Sequence, residues 1–147
     1  MKVSFFVPFP LVLLAMSMST EGYSVEIEGK KSLDFFEKKI RPVLAQRCYS
    51  CHSAEAARNS KLKGNLQLDN RKGTLAGGEN GTVLVPGAPE KSRLLAALRH
   101  ENLEMPPKER LPDAVIADFE KWIKEGAYDP REGEPAQTTA IDYEAGR

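Results

Sequence analysis

The feature that most constrains this chain is the run Cys48-Tyr49-Ser50-Cys51-His52, a C-x-x-C-H motif. This spacing is the attachment signature of a c-type haem. Each cysteine sulfur can form a thioether with one vinyl group of the porphyrin, and two intervening residues let one helical turn present both sulfurs. The histidine directly after Cys51 then lies under the iron as its proximal ligand. The motif therefore predicts one covalent haem held by Cys48, Cys51 and His52.

Three other interpretations of the motif stay open at this point. A thiol–disulfide redox pair also uses C-x-x-C, but it is typical of a βαβ pattern, which the sequence does not have. A zinc site needs four ligands in tetrahedral geometry, and only His52 and His100 are available as nitrogen partners. A structural disulfide between Cys48 and Cys51 would leave the adjacent histidine unexplained. Haem attachment accounts for all three motif side chains.

The first 20 residues have the organisation of a secretory signal peptide. Lys2 supplies a short positive region, the segment 3–16 is apolar, and small residues over 15–19 offer cleavage sites. The apolar run is shorter than the ~20 residues that a membrane-spanning helix needs. We therefore predict an exported protein, periplasmic or in the cell envelope, that is not an integral membrane protein after cleavage. A retained N-terminal anchor is the alternative.

Composition limits the remaining possibilities. The chain has 21 basic and 21 acidic residues, and 20 and 21 remain without residues 1–20, so nothing indicates nucleic-acid binding. Small domains with a modest core usually need a staple or a cofactor, and the motif uses both cysteines. We predict a signal peptide over 1–20, a flexible lead-in over 21–31, one domain over 32–128, and a linker or the start of a following segment over 129–147.

Two amphipathic helices are predicted at the ends of this domain. Ser32 is expected to cap the first, and Pro42 to kink or split it. The last begins at Pro112 and ends at Gly126. The apolar stripes are Leu33, Phe36, Ile40, Val43 and Leu44 in the first helix, and Val115, Ile116, Phe119, Trp122 and Ile123 in the last. The matched stripes predict that the tryptophan of the last helix packs near Phe36 and Ile40.

The middle of the chain is predicted to form short elements. The segments 66–68 and 82–85 give weak strand signals. Asp69 is expected to cap a short helix over 70–76. Six of the eleven glycines lie in 64–87. The segment does not have the P-loop pattern of a phosphate site. We therefore interpret it as backbone that wraps closely around a flat ligand.

Met105 is the only methionine beyond the predicted signal peptide, because the other three lie at positions 1, 16 and 18. Methionine usually fills a core. Here it precedes Pro106-Pro107 in a segment without helical periodicity, which suits a thioether held on the distal face of the iron. His100 ends a predicted helix whose apolar face is leucine; interaction with the last carbonyls explains it, and distal ligation is its alternative role.

Several segments, taken in order, resemble the planctomycete-type cytochrome c domain. They are Phe35-Phe36 with Ile40-Arg41-Pro42-Val43-Leu44, the C-x-x-C-H motif, Gly64-Asn65-Leu66-Gln67-Leu68-Asp69, Val85-Pro86-Gly87, Met105-Pro106-Pro107-Lys108 and Trp122-Ile123-Lys124-Glu125-Gly126-Ala127. The resemblance runs from about residue 33 to residue 130, and this ordered combination is far more specific than the haem motif alone.

This resemblance implies a mostly α, class I cytochrome c-like helical fold around one covalent haem c, to which the residue patterns above add a glycine-rich loop and two short strands. The terminal helices would cross and pack, and His52 and Met105 would ligate the iron from opposite faces. Such domains usually stand at the N-terminus of longer exported polypeptides. The segment 143–147 resembles the start of a next segment, which would make this chain a fragment.

Together these features predict one-electron transfer, with a redox partner protein or an attached domain as the partner. Two axial ligands leave no open iron position, so no catalytic site of its own is expected, and enzymatic activity would belong to an attached domain. The alternatives are a haem-based sensor in which Met105 is displaced, and a non-haem redox or interaction domain that uses the bare cysteines. We also expect a carbonyl of 83–86 to orient His52, and Arg71 to contact a haem propionate.

Overall fold

The structure, a computed structural model, describes residues 21–131, with side chains from Ile27 onward. The predicted signal peptide and the segment from residue 132 lie outside the described residues. The helices are α1 (Glu21–Phe35), α2 (Arg41–Arg47), α3 (Ala54–Arg58), α4 (Arg71–Ala76), α5 (Arg93–Leu98) and α6 (Asp113–Lys124). Among these described helices, none has the length and apolar character needed to cross a membrane. The fold is mostly α, as predicted.

A π-helical turn separates α1 from α2 at the predicted proline break. The turn spans Phe36–Ile40, and α2 starts immediately afterwards with Pro42 in its first turn. Proline has no N–H to donate within a helix, and the N–H of Arg41 reaches five residues back to the carbonyl of Phe36. Such wide turns interrupt helices locally. The residues at both ends of this turn, Phe36 and Ile40, are completely buried.

Helix α1 begins earlier than predicted. Residues 21–31, expected as a flexible lead-in, form its first turns, so Ser32 lies inside the helix and the predicted N-cap is wrong. The segment 27–31 is rich in Glu and Lys, which are good helix formers. It carries no apolar stripe comparable to that of α6, and the apolar pattern alone therefore missed it.

Helix α6 packs against the π-helical turn at the centre of the core. The rings of Phe36 and Trp122 lie 5.9 Å apart between centroids at 45°, and Phe119 meets Trp122 edge-on at 6.1 Å. The indole Nε1 donates to the carbonyl of Tyr128 at 2.8 Å. The prediction that Trp122 packs near Phe36 is confirmed. The other fully or nearly fully buried apolar residues of the π-helical turn, α2 and α6 are Ile40, Leu44, Ile116 and Ile123.

The two predicted short strands are wrong: within residues 21–131 no strand is formed, and the single β-bridge is isolated. The alternating segments bond to turns and helix ends instead of to a neighbouring strand. The N–H of Leu68 donates to the carbonyl of His52 at 2.9 Å, and that of Val85 donates to the hydroxyl of Ser92 at 2.9 Å. A strand requires a ladder of such bonds with a partner strand, and these segments have none.

The short helix predicted over 70–76 is confirmed as α4, but its cap is Asn70 and not Asp69. The side chain of Asn70 accepts from the N–H of Gly73 at 2.6 Å. The carboxylate of Asp69 accepts from the N–H of Ala54 at 2.8 Å and so belongs to the start of α3. Gly77 ends α4 with φ +80°, as predicted for a glycine stop.

In the glycine-rich segment, the backbone at Gly77 and Gly78 lies close to the backbone at Gly81 and Gly64. A Cβ on Gly78 would lie 2.3 Å from the carbonyl oxygen of Gly64, and one on Gly77 would lie 2.3 Å from that of Gly81. The N–H of Glu79 donates to the same Gly64 oxygen at 2.8 Å. Glycine at 77 and 78 is therefore required to fold this loop onto itself.

Candidate haem site

Residues 48–52 form one helical turn directly after α2. The N–H groups of Cys51 and His52 both bond to the carbonyl of Cys48, at 3.1 and 2.9 Å. Both cysteines are free thiols with partly exposed side chains. The backbone therefore brings the three predicted proximal residues together on one turn.

His52 is oriented by the segment that follows the turn. Its Nδ1 lies 3.3 Å from the carbonyl oxygen of Leu66, and its own carbonyl accepts from the N–H of Leu68 at 2.9 Å. The prediction that a carbonyl of 83–86 would hold the ring is wrong. The chain after Lys63 folds back onto the motif and brings the Leu66 carbonyl to His52 instead. The N–H of Lys63 itself donates to the carbonyl of Cys51 at 3.0 Å. With Nδ1 used in this way, Nε2 is the nitrogen left to bind a metal.

Burial keeps the Cys48 thiol and the His52 imidazole uncharged near neutral pH. It raises the pKa of the Cys48 thiol to about 11, against the opposing positive charge of Arg47 and with a smaller contribution in the same direction from Cys51. Burial also lowers the pKa of His52, against the hydrogen bond to the Leu66 carbonyl. A neutral imidazole is the form that ligates iron.

Helix α3 is fixed to the attachment turn by its own cap. The hydroxyl of Ser53 accepts from the N–H of Ala56 at 3.0 Å and donates to the carbonyl of Tyr49 at 2.7 Å. Ser53 is 4 % exposed. The chain after His52 therefore leaves the turn in a fixed direction.

No sequence pattern indicated a role for Arg131, which contacts the attachment turn from the other end of the domain. Its Nη1 donates to the Tyr49 hydroxyl and to the carbonyl of Leu68, the latter at 2.7 Å. Its side chain also pairs with Asp129, and the two side chains are 11 % and 3 % exposed. The guanidinium carbon lies 4.9 Å from the ring centroid of Phe36. Residues 129–131, whose composition is typical of a linker, thus pack against the motif.

Arg71, the arginine singled out from the sequence, has an exposed side chain. Its backbone N–H donates to the carbonyl of Arg131 at 3.2 Å, so α4 is also joined to the segment 129–131. Its predicted contact with a propionate stays a prediction.

Met105 lies in the loop between α5 and α6. Its side chain is partly buried, and its N–H donates to the carbonyl of Ala97 at 3.1 Å. Farther along the loop, Glu109 pairs at 3.1 Å with Arg47, the residue before Cys48. The loop is thus held to α5 near Met105 and to the end of α2 beside the motif.

Two further features lie beside these elements. An open groove of about 200 Å³ separates the end of α2 from the end of the Met105 loop; Val43, Arg47, Leu111 and Val115 are among its lining residues. His100 lies two residues after the end of α5 with φ +61°, and its Nε2 is buried without a hydrogen-bond partner among the described residues.

The residues present fit a c-type haem. Two free thiols and a neutral histidine with an available Nε2 occupy one turn, which is the donor set that covalent attachment and proximal ligation need. Apolar side chains that are only partly covered pack on the core and are available to contact a flat apolar group. They include Val43, Tyr49, Leu66, Val83 and Val115.

Residues 48–109 match the family model described as Planctomycete cytochrome C. The matched segment begins at the first cysteine of the motif and includes His52 and Met105. This match supports the resemblance to the planctomycete-type cytochrome c domain over that segment. A cytochrome c family model over this segment indicates a haem c cofactor and, in general terms, haem-based electron transfer. No match was found among curated proteins or among solved structures.

The cytochrome c domain is completed by elements outside the matched segment. The π-helical turn and α6 contribute Phe36 and Trp122 to its core, and Asp129 and Arg131 contact its attachment turn. The packed unit therefore extends on both sides of residues 48–109.

Proposed function

We propose that this domain transfers single electrons through one haem c that is covalently bound by Cys48 and Cys51 and ligated by His52 and Met105. The observation that carries the proposal is the attachment turn, in which both free thiols and an oriented, neutral histidine lie within five residues. A redox disulfide would leave the oriented imidazole of His52 unexplained, and a zinc site needs four ligands where the turn offers three.

Met105 is proposed as the distal ligand because its loop is held to α5 and to the end of α2, next to the attachment turn. The N–H of Met105 donates to the carbonyl of Ala97, and the Arg47–Glu109 pair joins the same loop to the end of α2. The thioether of Met105 is the only one beyond residue 18 in the sequence. Methionine opposite histidine favours the reduced iron and raises the potential.

The chain's own residues would perform three tasks. Cys48 and Cys51 would anchor the cofactor. His52 would ligate the iron through Nε2, while the Leu66 carbonyl holds its ring. The buried side chains around Phe36 would exclude water. When bound, haem c supplies an iron that cycles between Fe(II) and Fe(III). A rigid ligand set keeps the geometry similar in both states, which suits electron transfer.

The test is to express the full chain in a host that matures c-type cytochromes. Haem that survives acid–acetone extraction and stays with the polypeptide in denaturing electrophoresis is the expected result. Cys48→Ser with Cys51→Ser should lose it, whereas Ser50→Ala, between the two cysteines, should keep it. Release of all haem from the wild-type chain would overturn the proposal.

A low-spin spectrum that does not respond to carbon monoxide is expected for the same sample. A spectral change on gas addition would instead indicate a haem-based sensor. A protein that purifies without haem would indicate that the bare cysteines are used.

We further propose that the domain is an electron port for an attached or docked redox protein after export. The charge of the chain is balanced, so long-range steering of a soluble partner would be weak. A tethered partner has a high effective concentration and needs little steering. Haem reduction that is fast and independent of protein concentration in the full natural polypeptide supports this role; equally fast exchange of the free domain with a soluble carrier contradicts it.

A further inference from the structure

The side chain of Arg131 connects parts of the haem site that are far apart in sequence. Its Nη1 donates to the hydroxyl of Tyr49, inside the motif, and to the carbonyl of Leu68 at 2.7 Å. The same guanidinium lies over the ring of Phe36 in the core, 4.9 Å from its centroid. One side chain therefore holds both the attachment turn and the segment 66–68 against the core.

The segment 66–68 in turn fixes His52 at two points. The N–H of Leu68 donates to the carbonyl of His52 at 2.9 Å, and the carbonyl of Leu66 faces Nδ1 at 3.3 Å. Leu68 is thus bonded through its N–H to His52 and through its carbonyl to Arg131. A separation of 3.3 Å lies beyond the usual range for N–H···O bonds of ~2.7–3.2 Å, so a small displacement of the segment is enough to break it.

Asp129 sets the plane of the guanidinium. Nε of Arg131 lies 2.8 Å from Oδ1 and Nη2 lies 2.5 Å from Oδ2, which is a bidentate pair. Such a pair fixes orientation as well as position. Lysine keeps the charge but cannot reproduce this planar fork together with the contacts to Tyr49 and Leu68.

We propose that Arg131, oriented by Asp129, is a positioning residue for the proximal histidine, because it holds the segment 66–68 so that the Leu66 carbonyl stays on Nδ1 of His52. This inference rests on the proposed role of His52 as an iron ligand. The hydrogen bond on the second ring nitrogen fixes the orientation of a ligating histidine and raises its basicity. Arg131 thus controls the iron ligand without contacting its ring.

The test measures hydrogen exchange of the His52 Nδ1–H by NMR in the reduced, haem-loaded protein. The chain has two histidines, so ¹⁵N-histidine labelling gives two ring systems, and His100→Gln assigns them. In Arg131→Lys, exchange should accelerate about tenfold, which corresponds to the loss of about 1.4 kcal/mol from the protecting hydrogen bond. The ¹⁵N chemical shift of the same nitrogen should move with it.

Arg41→Lys is the matched control, because Arg41 pairs with Glu37 on the surface and its side chain is 53 % exposed. Its exchange should equal that of the wild type. Tyr49→Phe removes only the hydroxyl that Arg131 contacts and should give a smaller acceleration of exchange. If Arg131→Lys does not accumulate, Tyr49→Phe tests the inference in its place, and exchange equal to that of the control would overturn it.

Exchange in haem-loaded Arg131→Lys that equals the control would overturn this inference and leave the proposed function intact. Wild-type protein without covalent haem would instead refute the proposed function. The electrophoretic haem stain of each sample separates the two cases.

Discussion

The indole of Trp122 lies 5.9 Å from the ring of Phe36 and donates its N–H to the carbonyl of Tyr128. This contact joins α6 to the π-helical turn, and both rings are at most 2 % exposed. The two ends of the domain therefore meet at one aromatic pair, and the stability of the fold depends on it.

Trp122→Ala is expected to lower the free energy of unfolding by about 3–5 kcal/mol, because it removes a large buried ring and leaves a cavity. Guanidinium denaturation followed by circular dichroism measures the change. Tyr128→Ala is the control, since its side chain is 41 % exposed and the carbonyl that Trp122 uses is retained; it should cost less than about 1 kcal/mol. Equal effects of the two substitutions would contradict the prediction.

Met105→Ala should remove the weak far-red band of sulfur-to-iron ligation, lower the reduction potential and open the iron to carbon monoxide. Absorbance and potentiometry of the purified holoprotein measure these changes. Leu103→Ala, in the same loop and 50 % exposed, should leave all three unchanged. If Met105→Ala is spectrally silent, His100 is the next candidate ligand, because its Nε2 is buried without a partner among the described residues.

Tyr49 should make the protein less stable in alkali. Burial raises the pKa of its hydroxyl above the ordinary value of 10.0, although Arg131 opposes the shift. A raised folded-state pKa gives stability that is complete below the unfolded pKa and is lost as pH rises through the folded one. The midpoint of thermal unfolding should therefore fall more steeply above about pH 10 in the wild type than in Tyr49→Phe; parallel curves would contradict this.

Asn70→Ala should destabilise the domain by about 1–2 kcal/mol through the lost cap of α4. The side chain is 4 % exposed and also donates to Gln67 and Asp69, at 3.2 and 3.1 Å. Chemical denaturation measures the loss. Asn59→Ala, at an exposed position after α3, is the matched control and should stay within about 0.5 kcal/mol of the wild type.

The parts of the site that sequence alone predicted are local or periodic. The proximal residues occupy one turn, so Cys48, Cys51 and His52 follow from their spacing. The pairing of Phe36 with Trp122 follows from two apolar stripes of matching period. In both cases the pattern in the chain directly encodes the geometry.

The parts that sequence missed depend on contacts between distant segments. Alternation over 66–68 predicted a strand, but its N–H and carbonyl groups bond to His52 and Arg131 instead. Aspartate and asparagine are equally good N-cap residues. Only the fold shows that Asp69 bonds to the start of α3 and that Asn70 caps α4. Arg131 sits in a segment of linker composition, where no pattern indicates that its partner is Tyr49.

Tyr49 and Arg131 are 82 positions apart, and a ribosome adds about 5–20 residues per second. About 4–16 seconds therefore pass between the synthesis of Tyr49 in the attachment turn and the synthesis of Arg131, which contacts it. During this interval the two thiols are already on the chain while the contact that anchors their turn does not yet exist. The order of residues along the chain thus means that the attachment turn is made before the residue that anchors it, and the anchoring contact can form only once the whole domain is present.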